Sequence, residues 1–544
     1  MRSATPLAIK NKKNPTPIQV ILFITAALIL SIIAWSLVAY SGDRLILLLF
    51  HIAFCIVLLL IFVRPKLDGY LFLAIFLFLG FWLKFIVHLV LHYDFVEPVG
   101  RFDGSPAIWD RALGAATMGA AGVAAARAVH LLICRRIDET GVTVPLAWVP
   151  FWYPRYRLLV WALCGSGAIA LFTANYFFAF FQTGINMRLV LPFGLSVLFA
   201  WASFIGIQLL FALLLDWEGQ TKPKNLILLI ATIGLLGTAE AVSILSRATT
   251  LFLIVAYMTA ILLHMSVLRK RLWTTYRWRL PFILIISLIL SLSAVSWIRL
   301  LLYVPTDTAS TGSDPSVVAY YGAQKHPKVN SAVVPTDSAG NTSPTVSPDI
   351  TAAKKVQRVA KPPTWITPGW VPPALEWPFV VTRQLVLLSV DRWIGLEGVL
   401  SVASSPEQLG WDLFKRGLTE KASTGINSIY QIISASYYVY DKNLTFLTLP
   451  GAIAVLFYSG SGIVVFFGMF FICGILILSE FLVLRLLGSR FMAAVMAIFM
   501  ANAICQMNFP YLWFVFVAEN LTALLGFYCL RAPWIVFRRT ISRR

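Results

Sequence analysis

The chain has 544 residues, of which 59% are hydrophobic and 12% are charged, and its formal net charge is +20 at pH 7. Soluble globular domains contain about 45–50% apolar and about 25% charged residues, so this composition excludes an ordinary soluble protein. The basic residues form short clusters between long apolar runs rather than one patch, which excludes nucleic-acid binding as the reason for the charge.

Repeated apolar runs of about 18 residues or more predict an all-α polytopic membrane protein. The first run follows "KNKKNPTP" without a small-residue cleavage site, so we interpret it as a retained span rather than a removed signal peptide. In chain order, about twelve spans are predicted: 18–41, 44–63, 70–92, 108–134, 157–180, 188–215, 225–246, 248–268, 280–303, 452–484, 490–506 and 512–530.

The lysine and arginine residues predict that both termini lie in the cytoplasm. Lys10, Lys12 and Lys13 precede the first span, and the tail "RRTISRR" follows the last one. The strongest basic loop, "RKRLWTTYRWR" (269–279), separates the eighth and ninth spans. With twelve spans, this polarity places the loops 93–108 and 304–448 at the outer face of the membrane.

Three regions follow from this plan: a first bundle (1–303), a large outer loop (304–448), and three last spans with a basic tail (449–544). The tract 304–360 is rich in Ser, Thr, Pro and Asp, which predicts a flexible tether. From 364 to 440, tryptophans and periodic apolar residues predict short helices on the membrane surface or over the bundle. The six cysteines lie in or beside apolar segments, with neither a disulfide framework nor a metal-binding spacing.

One pair of charges stands inside an apolar segment, "LLGTAEAVSILSRATTLFLIVAYMTAILL" (235–263). Glu240 and Arg247 are seven residues apart, which predicts two turns on one helical face with Ser243 between them. Because a charge in a membrane span is costly, such residues are candidates for function. An arginine fork suits phosphate or carboxylate. The alternative is a structural ion pair, or an arginine that extends to the interface.

A second set of polar residues follows the third span. Lys84, His88 and His92 have the spacing i, i+4, i+8, which places all three on one helical face. The loop 93–108 adds acidic residues and Arg101. This face suits a basic wall for pyrophosphate, a proton relay, or two histidines of a metal site, although the helix offers no third metal ligand. The structural alternative is that the histidines bond within the bundle and the lysine reaches the headgroups.

A third set lies in the outer loop, in "RQLVLLSVDRWIGLEGVL" (383–400). It places cations, carboxylates and a ring suited to sugar stacking close together in the sequence. The alternative is a solvated surface face, which explains a run of charges equally well. The residues concerned are Arg383, Asp391, Arg392, Trp393 and Glu397.

This plan resembles the bacterial oligosaccharide repeat-unit polymerases of the O-antigen polymerase (Wzy) type, which are related in fold to the O-antigen ligases. The resemblance is carried by "SR" (246–247) at the outer end of a mid-chain span, by twelve spans, and by one large outer loop before the last few spans. The segment "LPGAIAVLFYSGSGIVVFFGMFFICGIL" (449–476) is similar to the glycine-rich span that follows the outer loop in that group.

The resemblance implies a glycosyltransferase similar to the C-type membrane enzymes, located in the bacterial inner membrane and active in lipopolysaccharide synthesis. Donor and acceptor would be polyprenyl-diphosphate-linked oligosaccharides, with no metal, nucleotide sugar or other cofactor, and a chain-length regulator protein would be a further partner. Arg247 would neutralise the leaving diphosphate. Asp391 or Glu397 would be the base on the acceptor hydroxyl, and Arg383 or Arg392 a second phosphate clamp.

The same resemblance implies one outward-opening cavity for the substrates. Arg247 would share it with Lys84 or His88. Further substrate-binding positions are His92, Arg101, Glu240 and Trp393.

Three other functions stay open. The first is a C-type glycosyltransferase with a polyprenyl-monophosphate-linked donor, which usually has an acidic residue in its first outer loop, where this chain has Asp43. The second is an O-antigen ligase, for which the loop histidine His326 lies in the tract predicted to be a tether. The third is a secondary transporter or flippase of glycolipids, although no paired halves are visible.

Overall fold

The structure of the chain is a computed structural model. It describes residues 17–91, 95, 97–138, 149–185, 187–189, 191–192, 195–221, 226–265, 268–270, 274, 279–303, 393–436 and 447–541. The chain divides into two units, Met1–Val295 with Leu387–Arg544 and, separately, Ser296–Val386. The described part of the second unit is the end of one helix.

The regular elements of the described residues are helices, and these ranges contain no β-strand. In chain order the helices are α1 (Pro17–Ala39), α2 (Arg44–Leu59), α3 (Asp68–Leu77), α4 (Lys84–Leu91), α5 (Pro106–Asp138), α6 (Tyr153–Phe178), α7 (Leu195–Trp201), α8 (Ile207–Thr221), α9 (Leu226–Ser243), α10 (Thr249–His264), α11 (Arg279–Tyr303), α12 (Leu396–Ala403), α13 (Trp411–Thr419), α14 (Ile429–Ile433), α15 (Ala452–Phe457), α16 (Gly462–Leu486), α17 (Arg490–Cys505) and α18 (Pro510–Ile541). Single π-helical turns, Phe78–Leu83 and Ala202–Gly206, join α3 to α4 and α7 to α8.

Eight helical segments of the described residues are long and apolar enough to cross a membrane. They are Arg44–Phe62, Asp68–Val90, Pro106–Cys134, Tyr153–Phe178, Leu195–Thr221, Pro281–Arg299, Gly462–Leu486 and Pro510–Cys529. Shorter apolar helical segments, together with α9, lie in the four other predicted spans. The all-α membrane class is therefore confirmed, while the count of twelve crossings and the cytoplasmic termini stay predictions.

The predicted span 452–484 is interrupted near its start. The short helix α15 ends at Phe457, and α16 begins only at Gly462. Between them Gly460 has φ +70°, a left-handed conformation that favours glycine. The sequence "YSGSG" therefore forms a break rather than part of a continuous span.

Helix α5 lies at the centre of the packing that positions the site. It packs against α2, α12 and α16. Small residues make this possible: Ala112, Ala116 and Ala120 are fully buried, and a Cβ at Gly122 would lie 2.2 Å from the carbonyl oxygen of Phe466 in α16. Close backbone approach through small residues is typical of helix pairs in membranes.

Candidate functional site

A cavity of about 660 Å³ lies at the end of the bundle that is predicted to face outward. Four parts of the chain form its walls: α2, the first turns of α5, and the loop segments 406–409 and 457–462. We call it the Asp110 cavity. Its lining residues are Ile46, Leu49, Asp110, Arg111, Gly114, Ala115, Thr117, Met118, Pro406, Leu409, Phe457, Ser459, Gly460 and Gly462.

The Asp110 cavity is charged at its mouth and largely apolar along its depth. Asp110 and Arg111 line the mouth, and Met118 lies eight residues further along α5, about 12 Å down the helix axis. A Cβ at Gly114 would meet no atom within 4 Å, so the cavity is open along this face of α5. Leu49 is 47% exposed, so the apolar wall continues onto the outer surface of α2. This shape suits a ligand with a polar head and an apolar chain.

A tyrosine and a backbone amide hold the Asp110 carboxylate in place. The Tyr40 hydroxyl donates to Asp110 Oδ1 at 2.7 Å, and the Asp43 amide donates to the same oxygen at 2.9 Å. A Cβ at Gly42 would lie 2.5 Å from that oxygen, so glycine is what allows the loop between α1 and α2 to come this close. Among the described residues no donor contacts Oδ2, which leaves that oxygen to a ligand.

Arg111 is held at one end of its guanidinium. Its Nη1 donates to the carbonyl oxygen of Ala403 at 2.8 Å. Ala403 is the last residue of α12, where carbonyl groups lack partners within the helix. Within the described part of the chain the other guanidinium donors contact no acceptor, and the side chain is exposed. Arg111 can therefore offer a fork of donors to phosphate oxygens.

Helix α12, which supplies this carbonyl, is buried along its whole length. Two close backbone approaches make this possible. A Cβ at Gly398 would lie 1.9 Å from the carbonyl oxygen of Pro450, and one at Gly80 would lie 2.4 Å from that of Ile394. Part of the segment predicted to be the large outer loop is thus inserted into the bundle beside the Asp110 cavity, rather than lying on its surface.

Two of the predicted site residues form a buried ion pair. Lys84 Nζ contacts Glu397 Oε1, and their side chains are 1% and 6% exposed. Neither residue lines the Asp110 cavity. The Glu397 carboxylate is occupied by the lysine and is therefore not an open base.

His88 lies one turn beyond Lys84 and belongs to an aromatic cluster. Its ring stacks on Phe95, with centroids 4.5 Å apart and planes 5° from parallel. The ring centroid of Trp109, the residue before Asp110, lies 5.2 Å from that of His88. His88 therefore supports the start of α5 and does not line the cavity.

The predicted helical face with Glu240 and Arg247 is wrong, because α9 ends at Ser243. Asn175 Nδ2 donates to the Ser243 hydroxyl at 3.0 Å, and the chain then turns with Leu245 at φ +52°. Glu240 is fully buried and accepts a hydrogen bond from Gln208, whereas Arg247 is exposed in the turn. The predicted cavity shared by Arg247 with Lys84 or His88 is not the Asp110 cavity.

The remaining predicted residues lie outside the Asp110 cavity or outside the described residues. Arg101 pairs with Glu407 at 2.7 Å, one residue from the cavity wall at Pro406, and both side chains are more than half exposed. Trp393 is half-buried and does not line the cavity. His92, Arg383, Asp391 and Arg392 lie outside the described residues.

Sequence reasoning missed Asp110 and Arg111. Both stand in "SPAIWDRALG", at the start of the predicted span 108–134. The signal was an acidic and a basic residue together at the outer end of an otherwise apolar helix. Within the described ranges, no three His, Cys, Asp or Glu side chains are grouped so that they could hold a metal ion.

Comparisons of the chain with protein-family models, with curated proteins and with solved structures each found no match.

Proposed function

We propose that the chain is a glycosyltransferase of the bacterial inner membrane. At the outer face of that membrane it polymerises polyprenyl-diphosphate-linked oligosaccharide repeat units. The observation that carries the proposal is the Asp110 cavity, which combines a carboxylate and an arginine at its mouth with an apolar wall that reaches the surface of α2. A lipid-linked sugar has the same division, with a sugar phosphate at one end and a hydrocarbon chain at the other.

In the proposed reaction the bond between the donor sugar and its diphosphate breaks, and a bond from the same carbon to an acceptor hydroxyl forms. Arg111 binds the diphosphate and stabilises its growing negative charge. Asp110 accepts the proton of the acceptor hydroxyl through Oδ2, while Oδ1 stays bound to Tyr40 and to the Asp43 amide. Asp110 thus takes the role that the resemblance implied for Asp391 or Glu397, and Arg111 takes the role that it implied for Arg247.

A monophosphate-linked donor is the second candidate. One arginine and no lysine line the Asp110 cavity, so its described cationic lining is small for a diphosphate. The first outer loop also contacts the candidate base, since the Asp43 amide donates to Asp110. Full-length protein in proteoliposomes, given the same sugar on a polyprenyl monophosphate or diphosphate, distinguishes the two: polymerisation requires transfer from the diphosphate.

The proposal is tested by the length of surface polysaccharide in a deletion strain. Wild-type protein should restore a ladder on a gel. Arg111→Ala and Asp110→Asn should collapse it to a single repeat, because losses of about 10²- to 10³-fold for the arginine and about 10²- to 10⁴-fold for the base are expected. Protein levels are matched by immunoblot. A full ladder in the strain without the protein would contradict the proposal.

A second substitution tests the cavity rather than the charges. Gly114→Leu places a side chain in the Asp110 cavity and should also shorten the ladder. Gly474→Leu in α16 is the matched control, because a Cβ at either glycine would meet no atom within 4 Å. Equal effects of the two substitutions would show that the Asp110 cavity is not where the substrate binds.

A further inference from the structure

The Lys84–Glu397 pair joins residues 313 positions apart. Lys84 is in the first turn of α4, and Glu397 is in the first turn of α12, so the pair ties the inserted helix to the third span. Removing two charges from water is costly, so such a pair adds little net stability compared with apolar residues. The pair does constrain the relative position of the two helices, however, because each buried charge is stable only while the other lies close to it.

Close backbone approaches and hydroxyl hydrogen bonds also hold α12 in the bundle. A Cβ at Gly80 would lie 2.4 Å from the carbonyl oxygen of Ile394, and one at Gly398 would lie 1.9 Å from that of Pro450. The Ser401 hydroxyl bonds to Glu397 O at 2.9 Å within the helix and to Pro98 O at 3.2 Å. Among the described residues, the Lys84–Glu397 pair is the contact of α12 in which both partners are charged, and it holds the position of the amino end of the helix.

That position matters at the other end of α12. Glu397 and Ala403 are six residues apart, about 9 Å along the helix axis. The Ala403 carbonyl accepts the hydrogen bond from Arg111, and the chain continues within three residues to Pro406 in the cavity wall. A shift of α12 along its axis would therefore move both the anchor of Arg111 and part of the wall.

We propose that Lys84 and Glu397 are positioning residues, whose buried ion pair holds α12 so that its carboxyl end places Arg111 in the Asp110 cavity. The effect of this ion pair on catalysis rests on the proposed function. The placement of Arg111 and of the cavity wall does not depend on which reaction the cavity serves.

The placement is tested without any activity. In a chain whose six native cysteines are replaced, Gly114→Cys reports on the Asp110 cavity through its rate of reaction with a membrane-impermeant thiol reagent. Lys84→Met and Glu397→Gln should each change this rate severalfold. Arg157→Met is the matched control, because it breaks the 2.7 Å ion pair with Glu218 between α6 and α8. It should leave the rate unchanged.

A reversed pair keeps the test informative if the single variants do not fold. Lys84→Glu combined with Glu397→Lys restores opposite charges and should bring the labelling rate back to within about twofold of the parent. Unchanged labelling in the single variants would overturn the proposal. So would a reversed-pair protein that is well expressed but labels as the single variants do, or an equal change in Arg157→Met.

Activity then separates this proposal from the proposed function through a double-mutant cycle. If Glu397 acts through Arg111, Glu397→Gln should lower transfer in the parent and add little in the Arg111→Ala background. Independent, multiplying losses would overturn the positioning role. Absence of transfer in the parent, together with the predicted labelling changes, would reject the proposed function and leave the placement of Arg111 intact.

Discussion

Two of the places where charges enter the apolar bundle contrast with each other. One is the Asp110 cavity, and the other is a buried group that we call the Arg127 cluster: Asp68, Tyr70, Arg127, His264 and Glu480. In the cluster, Glu480 accepts the amides of Asp68 at 2.9 Å and of Gly69 at 2.7 Å, and Arg127 donates to the carbonyls of Val63, at 2.8 Å, and Pro65. Glu480 thus binds the free amides at the start of α3, and Arg127 binds the carbonyls of the loop before it. Arg111, in contrast, uses one of its donors for the protein and lies beside the Asp110 cavity.

The difference teaches that a charge inside a membrane span is not by itself a sign of a substrate site. Arg127 in "AAARAVH" and Arg111 in "WDRALG" lie on the same helix, and apart from Asp110 their sequence neighbours in these stretches are mostly small or apolar. What separates them is their acceptors. A charge bound to backbone groups of its own fold stabilises that fold, and a charge beside a cavity is left for a ligand.

The largest expected effect is the loss of stability in Arg127→Ala. The side chain is fully buried, and its removal leaves the carbonyls of Val63 and Pro65 without their donor. We expect a loss of about 3–5 kcal/mol, as for other broken buried charge networks. The measurement is the free energy of unfolding of the purified protein in mixed micelles.

Arg111→Ala is the matched control, because it makes the same substitution on the same helix. It removes an exposed side chain with one hydrogen bond, so the expected loss of stability is about 1 kcal/mol or less. Equal losses in the two variants would erase the distinction between the Arg127 cluster and the Asp110 cavity. Stable Arg111→Ala protein without polysaccharide ladders would sharpen it.

How far the sequence predicts this structure depends on the range of the contacts involved. Each of the twelve predicted spans contains a helix within the described residues, because apolar length is a local property. Helix ends are less local. The predicted span 225–246 and the observed end of α9 at Ser243 differ because Asn175, 68 residues away, bonds to Ser243.

The candidate site shows the same limit more strongly. No local pattern pairs Lys84 with Glu397, and the side chain that binds Glu240 is Gln208, whose neutral amide drew no attention in the sequence. The role of Asp110 depends on the loop between α1 and α2. The Asp43 amide donates to Asp110, and the Asp43 carboxylate accepts the amide of Leu45 in the first turn of α2. The carboxylate that faces the cavity is therefore on α5 and not in that loop.

The next effect concerns space rather than charge. A Cβ at Gly122 would lie 2.2 Å from the carbonyl oxygen of Phe466, so Gly122→Ala must push α5 and α16 apart. We expect a loss of about 1–3 kcal/mol, as for other overpacked sites. Unfolding in mixed micelles measures it.

Gly165→Ala in α6 is the control, because a Cβ there would meet no atom within 4 Å. Alanine restricts the unfolded chain and favours helix, so this variant should be neutral or more stable by about 0.5–1 kcal/mol. A loss in both variants would mean that any side chain on a helix glycine is harmful. The contrast between the tight packing at Gly122 and the open space at Gly114 would then not explain the effects of substitution.

The smallest expected effect is a pH dependence at Glu420. In burial and in its contacts, this carboxyl is intermediate between the Arg127 cluster and the Asp110 cavity. Its Oε1 accepts the amide of Ile429 at 2.8 Å, as Glu480 accepts amides in the Arg127 cluster, but the side chain is only partly buried. Burial is the largest influence and raises the pKa of Glu420, against smaller opposite effects of the Ile429 amide, Thr424 and Arg416.

Because the folded-state pKa is raised, the protonated form is favoured by folding. The stabilisation is fully present below the unfolded pKa of about 4.3 and is lost as the pH rises through the folded value. We therefore expect the Ile429 amide to exchange faster at neutral pH than at about pH 4, after correction for the intrinsic rate. The difference should stay below about 1 kcal/mol, since solvent screens a partly exposed group.

Glu420→Gln keeps an acceptor for the Ile429 amide but cannot titrate, so its corrected exchange should not vary with pH. A pH dependence that persists in this variant would assign the effect to another group. If the Ile429 amide of the wild-type protein instead exchanged more slowly as the pH rises, the pH dependence would have the opposite sign. Glu420 would then be a carboxylate whose charged form the fold stabilises. The expected pH dependence means that the loss of solvent around Glu420 raises its pKa by more than the hydrogen bond from the Ile429 amide lowers it. Partial burial without a buried cation nearby predicts this result.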